Sequence, residues 1–145
     1  MQLSQLRMNL KRIDFQSLVG DALQAQKKEI VEYQKAQMLH GQRADGLKIG
    51  KYKDYNYARV KANMNPIAGY GFVDLKYRGE FQRNIGIRFF ADSYVLFSSD
   101  SKADALLLKY GPDIFGLNAE FIKDFATMYL NSELNKQIRK QIYGL

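Results

Sequence analysis

The strongest strand signals of this sequence lie between Ile85 and Ser98. The runs from Ile85 to Phe90 and from Tyr94 to Ser98 have the period of two that places successive side chains on opposite faces of a strand. A short turn separates the two runs, so the pattern predicts an antiparallel hairpin. An isolated hairpin is marginally stable. We therefore expect a third strand from Val73 to Leu75, or from the segment that precedes it.

Helical periodicity precedes the hairpin. Apolar residues recur at helical spacing from Phe15 onwards and predict one long helix from Phe15 to Leu39. Asp14 is a suitable N-cap, because its carboxylate can accept hydrogen bonds from the first free backbone amides. Gly41 ends the helix.

Two further helices are predicted after the hairpin. The first is short, begins at Asp100 or Ser101 and continues through Lys109. The second is long, runs to the C-terminus with a stripe of apolar side chains, and has Asn118 as its N-cap. Helices at both ends and alternation only in the middle predict an α+β fold. It comprises a long N-terminal helix, a small antiparallel sheet, a short helix and a long C-terminal helix packed on the sheet.

The segment from residue 41 to residue 71 has no sustained periodicity. With 145 residues and 16.8 kDa, the chain is expected to form a single domain over 1–145. A loop of about thirty residues inside a compact domain is uncommon and is usually functional or disordered. We expect an extended arm or ordered loop that contacts a neighbouring molecule.

The positive charge is concentrated in the first part of the chain. The formal charge is +7, from 22 Lys and Arg against 15 Asp and Glu. Through Lys61 the basic residues number twelve and the acidic residues six, which accounts for most of that excess. Such a surface attracts phosphates or acidic protein surfaces, or it simply keeps a helix face soluble.

The residue types exclude several chemistries. Without cysteine the chain has no disulfide, thiolate metal site or cysteine nucleophile. His40, the single histidine, precedes Gly41 at a helix end, where a capping or surface role is expected. The lysine between Gly46 and Gly50 lacks the spacing of a phosphate-binding loop. We therefore predict no enzyme activity, no cofactor and no metal.

The sequence also lacks an apolar run of membrane-spanning length and the apolar core of a signal peptide, so we expect a protein made in the cytoplasm without membrane contact.

Two short segments resemble proteins of bacteriophage particles. Val73-Asp74-Leu75-Lys76-Tyr77-Arg78-Gly79-Glu80-Phe81, followed by the hairpin, resembles a segment of tail-completion and virion-morphogenesis proteins in which a glycine turn leads into the central sheet. Arg78 stands where those proteins usually have Thr, and Asn84 where Ser is common. Asp113-Ile114-Phe115-Gly116-Leu117-Asn118-Ala119-Glu120 is similar to the element that enters their final helix, with Asn118 in place of the capping Ser.

The resemblance implies a structural virion protein. It covers roughly Leu75 to Ile142, and the order of elements is the same as in those families. The implied function is a subunit of a homo-oligomeric ring at the head–tail junction (tail completion, neck or connector), beside connector, portal or tail proteins and close to packaged DNA. The implied location is the virion, after synthesis in the host bacterial cytoplasm. The chain also resembles, less closely, ring or collar proteins of short-tailed, crAss-like phages.

A ring subunit would use the segment from residue 41 to residue 71 as its interface. Aromatic residues set into pockets dominate many interfaces, and basic residues would meet acidic groups on the partner. The expected subunit-interface residues are Arg43, Lys51, Tyr52, Lys53, Tyr55, Tyr57 and Ile67. The alternative is a nucleic-acid-binding module, because tyrosines interleaved with basic residues are typical of such surfaces. It would use Arg43, Lys48, Lys51, Lys53 and the loop tyrosines.

Overall fold

A computed structural model describes residues 1–76 and 78–144 and has the predicted α+β fold. The helices are α1 (Leu3–Lys11), α2 (Phe15–Ala25), α3 (Lys27–Leu39), α4 (Tyr55–Met64), α5 (Glu80–Arg83), α6 (Ala103–Tyr110), α7 (Ala119–Phe125) and α8 (Asn131–Tyr143). The strands are β1 (Ile85–Phe89) and β2 (Tyr94–Ser98), and short 3₁₀ turns occupy Pro66–Ala68 and Pro112–Ile114. Residue 77, which belongs to the first phage-like segment, lies outside the described residues.

The predicted hairpin is confirmed. Strands β1 and β2 pair antiparallel, with Ile85 opposite Ser98 and Phe89 opposite Tyr94. Ile85 and Leu96 are buried, so one face of the hairpin packs against the core. The expected third strand is not formed by Val73 to Leu75: within residues 1–76 and 78–144 the sheet has two strands. Val73 and Leu75 nevertheless lie in the buried core, although their backbone is neither helix nor strand.

The predicted helix from Phe15 to Leu39 is two helices. Asp14 caps α2 as expected, because its Oδ1 accepts hydrogen bonds from the amides of Gln16 and Ser17. Gln26, with φ −108° and ψ 20°, leaves helical geometry and separates α2 from α3. Apolar spacing resumes at Ile30, and the sequence marks the break only by the weakly apolar run from Gln24 to Glu29. Helix α2 then packs against α8, and α3 packs against α7 and β1.

Two buried glutamines of α3 fix the backbone that leads into α7. Gln34 donates a hydrogen bond to the carbonyl of Ile114 (3.2 Å) and accepts one from the amide of Gly116 (2.8 Å). Gln37 likewise donates to the carbonyl of Gly116 (2.8 Å) and accepts from the amide of Asn118 (2.7 Å). Both side chains are fully buried, and the four bonds resemble the pairing of a β-ladder. This glutamine clamp is Gln34 and Gln37 with the backbone of 114–118.

The C-terminal helical segment begins where the sequence predicts. Asn118 is its N-cap and accepts a hydrogen bond from the amide of Phe121 (3.1 Å). Between α7 and α8 the helix widens into a π-helical segment, Ala126–Leu130. Tyr33 of α3 lies against this region, with its ring edge-on to Phe125 and Tyr129. Helix α8 packs on α1 and α2, so the long C-terminal element covers the N-terminal helices.

The segment from residue 41 to residue 71 is more ordered than its composition indicates. It contains helix α4, which Asp54 caps through the amide of Tyr57 (2.8 Å). It also contributes Ile49, Ala58 and Ala68 to the buried core. The segment therefore contains a helix of its own, whose periodicity is weak in the sequence because α4 buries a charged residue, Lys61, where a helical pattern would normally have an apolar one.

Candidate functional site

A buried ion pair joins α4 to the segment that precedes α5. Lys61 Nζ lies 2.7 Å from Asp74 Oδ1, and the two side chains are 5% and 2% exposed. Lys61 also donates to the carbonyl of Lys76. Removing a charge from water is costly unless it is paired and hydrogen-bonded, so this pair holds its two segments in one fixed arrangement.

Asp74 has further partners that fix the backbone around it. Its carboxylate accepts hydrogen bonds from Asn65 Nδ2 (3.0 Å), from the backbone amide of Lys76 (3.0 Å) and from the hydroxyl of Tyr52 (3.4 Å). The bond to the amide two residues on turns the chain at Leu75, whose φ is +56°. A non-glycine residue in that region is strained and persists only where its surroundings hold it, and such residues cluster at functional sites.

This turn forms the floor of a cleft of about 420 Å³ between α4 and α6. The floor is apolar, with Val73, Leu75, Phe81 and Leu106. Three tyrosines line the walls, namely Tyr52, Tyr57 and Tyr110. Six basic residues surround these, namely Lys51, Lys53, Lys76, Arg78, Lys102 and Lys109. We call this cavity the lysine cleft and the six basic residues its rim.

The rim carries an excess of positive charge. The acidic residues that line the cleft are Asp54 and Glu80, and Lys61 is neutralised by Asp74. Lys102 lies 3.9 Å from Glu80, and both side chains are largely exposed, so this contact is weak. A formal excess of four positive charges therefore remains over the cleft, and a concave surface of one sign concentrates ions of the opposite sign.

Aromatic rings hold two rim lysines near the cleft without neutralising them. Lys51 Nζ lies 5.5 Å from the ring centre of Phe72, and Lys109 Nζ lies 5.2 Å from that of Tyr110. Such cation–π contacts orient an ammonium group while leaving its hydrogen-bond donors available. Burial raises the pKa of the Tyr52 hydroxyl, and the nearby Asp74 carboxylate raises it further, so this wall of the cleft stays neutral.

The structure separates the predicted interface residues into two groups. Lys51, Tyr52, Lys53 and Tyr57 line the lysine cleft, and Tyr52 is half-buried there with its ring 5.0 Å from that of Tyr57. The other predicted residues, Arg43, Tyr55 and Ile67, are not among the residues that line the cleft. Arg43 Nη2 lies 2.5 Å from Asp45 Oδ2 in its own loop.

Arg43 and Lys48, two cations of the alternative nucleic-acid surface, are both engaged within the chain. The ion pair with Asp45 raises the pKa of Arg43 and lowers that of Asp45. Lys48 donates hydrogen bonds to the carbonyls of His40 and Ala68, both at 3.0 Å. It therefore closes the C-terminal end of α3 onto the 3₁₀ turn. His40 is exposed and bonds back to the carbonyl of Ala36, which agrees with its expected capping role.

A second feature of the same segment is a concentration of exposed apolar and aromatic side chains. Of eighteen large hydrophobic residues exposed in the described chain, six lie between residues 55 and 70. We call them the exposed patch: Tyr55, Tyr57, Val60, Met64, Ile67 and Tyr70. Tyr55 is 70% exposed, and its ring lies 6.0 Å from that of Tyr70. Single exposed apolar residues are normal, whereas several together mark an interaction surface.

Sequence reasoning missed four of the six rim residues. Lys76, Arg78, Lys102 and Lys109 come from segments outside the predicted basic loop. Their spacing carries a weak signal, because residues seven apart on a helix share a face, as Lys102 at the start of α6 and Lys109 near its end do. Nothing in the sequence indicates that this face lies opposite Lys53.

The residues that the structure describes contain neither a candidate metal cluster nor a helix that could cross a membrane. In 1–76 and 78–144, no group of three or more His, Asp or Glu side chains could hold a metal ion. None of the helices in this part of the chain is both long enough and apolar enough to cross a membrane.

The fold and the site thus define an α+β protein with a cationic, tyrosine-lined cleft. Comparison with protein families, characterised proteins and solved structures finds no match for the chain.

Proposed function

We propose that this chain is a structural subunit of an oligomeric ring at the head–tail junction of a bacteriophage, acting in tail completion or as a neck or connector protein. The observation that carries the proposal is the exposed patch. It lies in the segment from residue 41 to residue 71, which we expect to contact a neighbouring subunit if the chain forms a ring. Burying the patch against a neighbour would remove several large apolar side chains from water, each stabilising the assembly by about 1.5–3 kcal/mol at full burial.

The proposed interface uses the predicted residues Tyr55, Tyr57 and Ile67 as apolar anchors. Arg43, which comes earlier in the same segment, would meet acidic groups of the neighbour once its pair with Asp45 is exchanged. Tyr52 is a supporting residue, because its half-buried ring packs against the chain's own core. In this function the protein works without catalysis or cofactor. It would be made in the host bacterial cytoplasm and found in the virion, with portal, connector or tail proteins as neighbours and packaged DNA nearby.

Incorporation into phage particles tests the proposal. The triple variant Tyr55→Ser, Met64→Ser and Ile67→Ser changes three side chains of the exposed patch that are 58–70% exposed. We expect an unchanged circular dichroism spectrum and a loss of incorporation, which mass measurement of the ring and of the particles would show. The matched control is Phe15→Ser, Leu108→Ser and Met128→Ser, at positions 61–90% exposed on other elements. Normal incorporation of the patch variant would refute the assembly role.

A further inference from the structure

The exposed patch shares Tyr57 with the lysine cleft but does not account for it, because the cleft is concave and charged. Cavities of about 300–1,000 Å³ with an apolar lining and a few polar groups are typical of small-ligand sites. The cleft has about 420 Å³, an apolar floor and a rim of six cations. Its size and charge point to a compact anion with an apolar or aromatic body.

The chain itself is a poor candidate for the occupant. It carries 22 basic against 15 acidic residues, so a second copy would bring net positive charge to a positive cleft. An acidic residue of α7 is also engaged within the chain, because Asp124 accepts a hydrogen bond from the hydroxyl of Tyr33 (2.6 Å). The occupant is therefore a different, anionic molecule.

The kinds of residue in the cleft distinguish a phosphate from an acidic peptide. Five of the six rim cations are lysine. Protein interfaces are enriched in Arg and depleted in Lys, whereas lysine is a common phosphate binder that acts as a point charge. The tyrosine rings add flat surfaces on which bases stack, a contact worth about 1–3 kcal/mol per base.

We propose that the lysine cleft binds a nucleotide, its phosphate between the rim lysines and its base against Tyr57 and Tyr110. The nucleotide is either free or part of single-stranded DNA, since both present the same phosphate and base. The site is pre-formed, because Asp74 and Lys61 fix the floor before any ligand arrives. This inference goes beyond the ring function and stands without it, since it rests on the cleft, which shares only Tyr57 with the exposed patch.

Fluorescence anisotropy of a labelled oligothymidylate with the whole chain tests the proposal. The variant Lys53→Ala, Lys76→Ala and Lys109→Ala removes three exposed rim charges. The control Lys28→Ala, Lys123→Ala and Lys136→Ala removes the same charge from exposed positions of other helices. We expect the rim variant to bind more than about tenfold more weakly and the control less than about twofold. The salt slope of the rim variant should fall by about 0.7 for each phosphate of the single strand that loses its lysine contact.

A second variant separates base stacking from charge. Tyr57→Leu keeps the apolar bulk and the net charge, and we expect about tenfold weaker binding with an unchanged salt slope. It also keeps the test decisive if the triple lysine variant folds poorly, which circular dichroism would show. Thymidine monophosphate that displaces the oligothymidylate would identify the free nucleotide as sufficient, and displacement only by unlabelled oligothymidylate would identify the strand.

Three results would overturn the proposal. Equal weakening by the rim and control variants would mean that binding reflects the overall charge of the chain. Displacement by polyglutamate as efficient as by DNA would identify an acidic peptide as the occupant. Displacement by inorganic phosphate as efficient as by thymidine monophosphate would show that the tyrosines do not contact a base.

Discussion

At the scale of single residues, the ion pair of Lys61 and Asp74 is the contact whose loss should cost the most. Lys61→Met keeps the length of the side chain but leaves the buried Asp74 carboxylate without its counter-charge. Breaking a buried pair in this way typically costs about 3–5 kcal/mol of unfolding free energy. Urea denaturation measures it, with Arg59→Met as the control, an exposed cation on the same helix whose loss should stay within about 0.5 kcal/mol. Equal effects of the two substitutions would show that the pair is not structural.

Tyr33 should make the fold sensitive to alkali. Burial, and then the hydrogen bond to Asp124 (2.6 Å), raise the pKa of its hydroxyl from 10.0 to about 12. Because the folded chain holds this proton more tightly than the unfolded chain, the stabilisation is complete below pH 10 and is lost as the pH rises towards 12.

Tyr33→Phe tests this sensitivity. Between pH 10 and 12 the variant should lose less unfolding free energy with rising pH than the parent, by at most about 1.4 kcal/mol per pH unit for one proton. Tyr52 and Tyr94, whose pKa values burial also raises, still titrate in the variant. Denaturant titrations across this range provide the comparison. The reference is Tyr143→Phe, which changes an exposed tyrosine of α8. An unchanged pH dependence would contradict the assignment to Tyr33.

At the scale of elements, the glutamine clamp is what attaches α3 to the start of α7. Gln34→Leu would leave the carbonyl of Ile114 and the amide of Gly116 buried without partners. Each unsatisfied group costs about 1–3 kcal/mol, so we expect a loss of roughly 2–5 kcal/mol and faster hydrogen exchange at Gly116. Lys28→Leu, at an exposed position of the same helix, should leave both quantities nearly unchanged. Full exchange protection of Gly116 in Gln34→Leu would mean that the clamp does not hold this backbone.

The elements also show which parts of the fold a sequence can predict. The hairpin and the caps at Asp14 and Asn118 were predictable because their signals are local. The hairpin is marked by alternating side chains, and each cap is a side chain that accepts a hydrogen bond from an amide two or three residues further on. The break at Gln26 was not, because the weakly apolar run from Gln24 to Glu29 also suits an exposed stretch of one helix. The full length of helix α4 was not either, because its buried face carries Lys61, and a lysine becomes suitable for burial only when the distant Asp74 meets it.

At the scale of the whole molecule, the candidate site was predictable only in part for a similar reason. Lys51, Lys53, Tyr52 and Tyr57 belong to one basic, tyrosine-rich segment, and they do line the cleft. The opposite wall comes from α6, and only the folded chain brings it into place. The segment therefore contributes to two surfaces, the lysine cleft and the exposed patch, which have different proposed partners. The sequence alone predicted a single interface for the whole segment.

The placement of Asp74 has a consequence for how this protein could diversify. The rim lysines project from the surface and contribute little to the core, so their exchange would alter the strength or the choice of ligand while the fold survives. Asp74 serves the ion pair, the turn at Leu75 and the attachment of α4 at once, so a change there removes the cavity and part of the core together. Substitutions at the rim can therefore change ligand binding while the fold is kept, whereas a substitution of Asp74 in the floor disrupts the cavity itself.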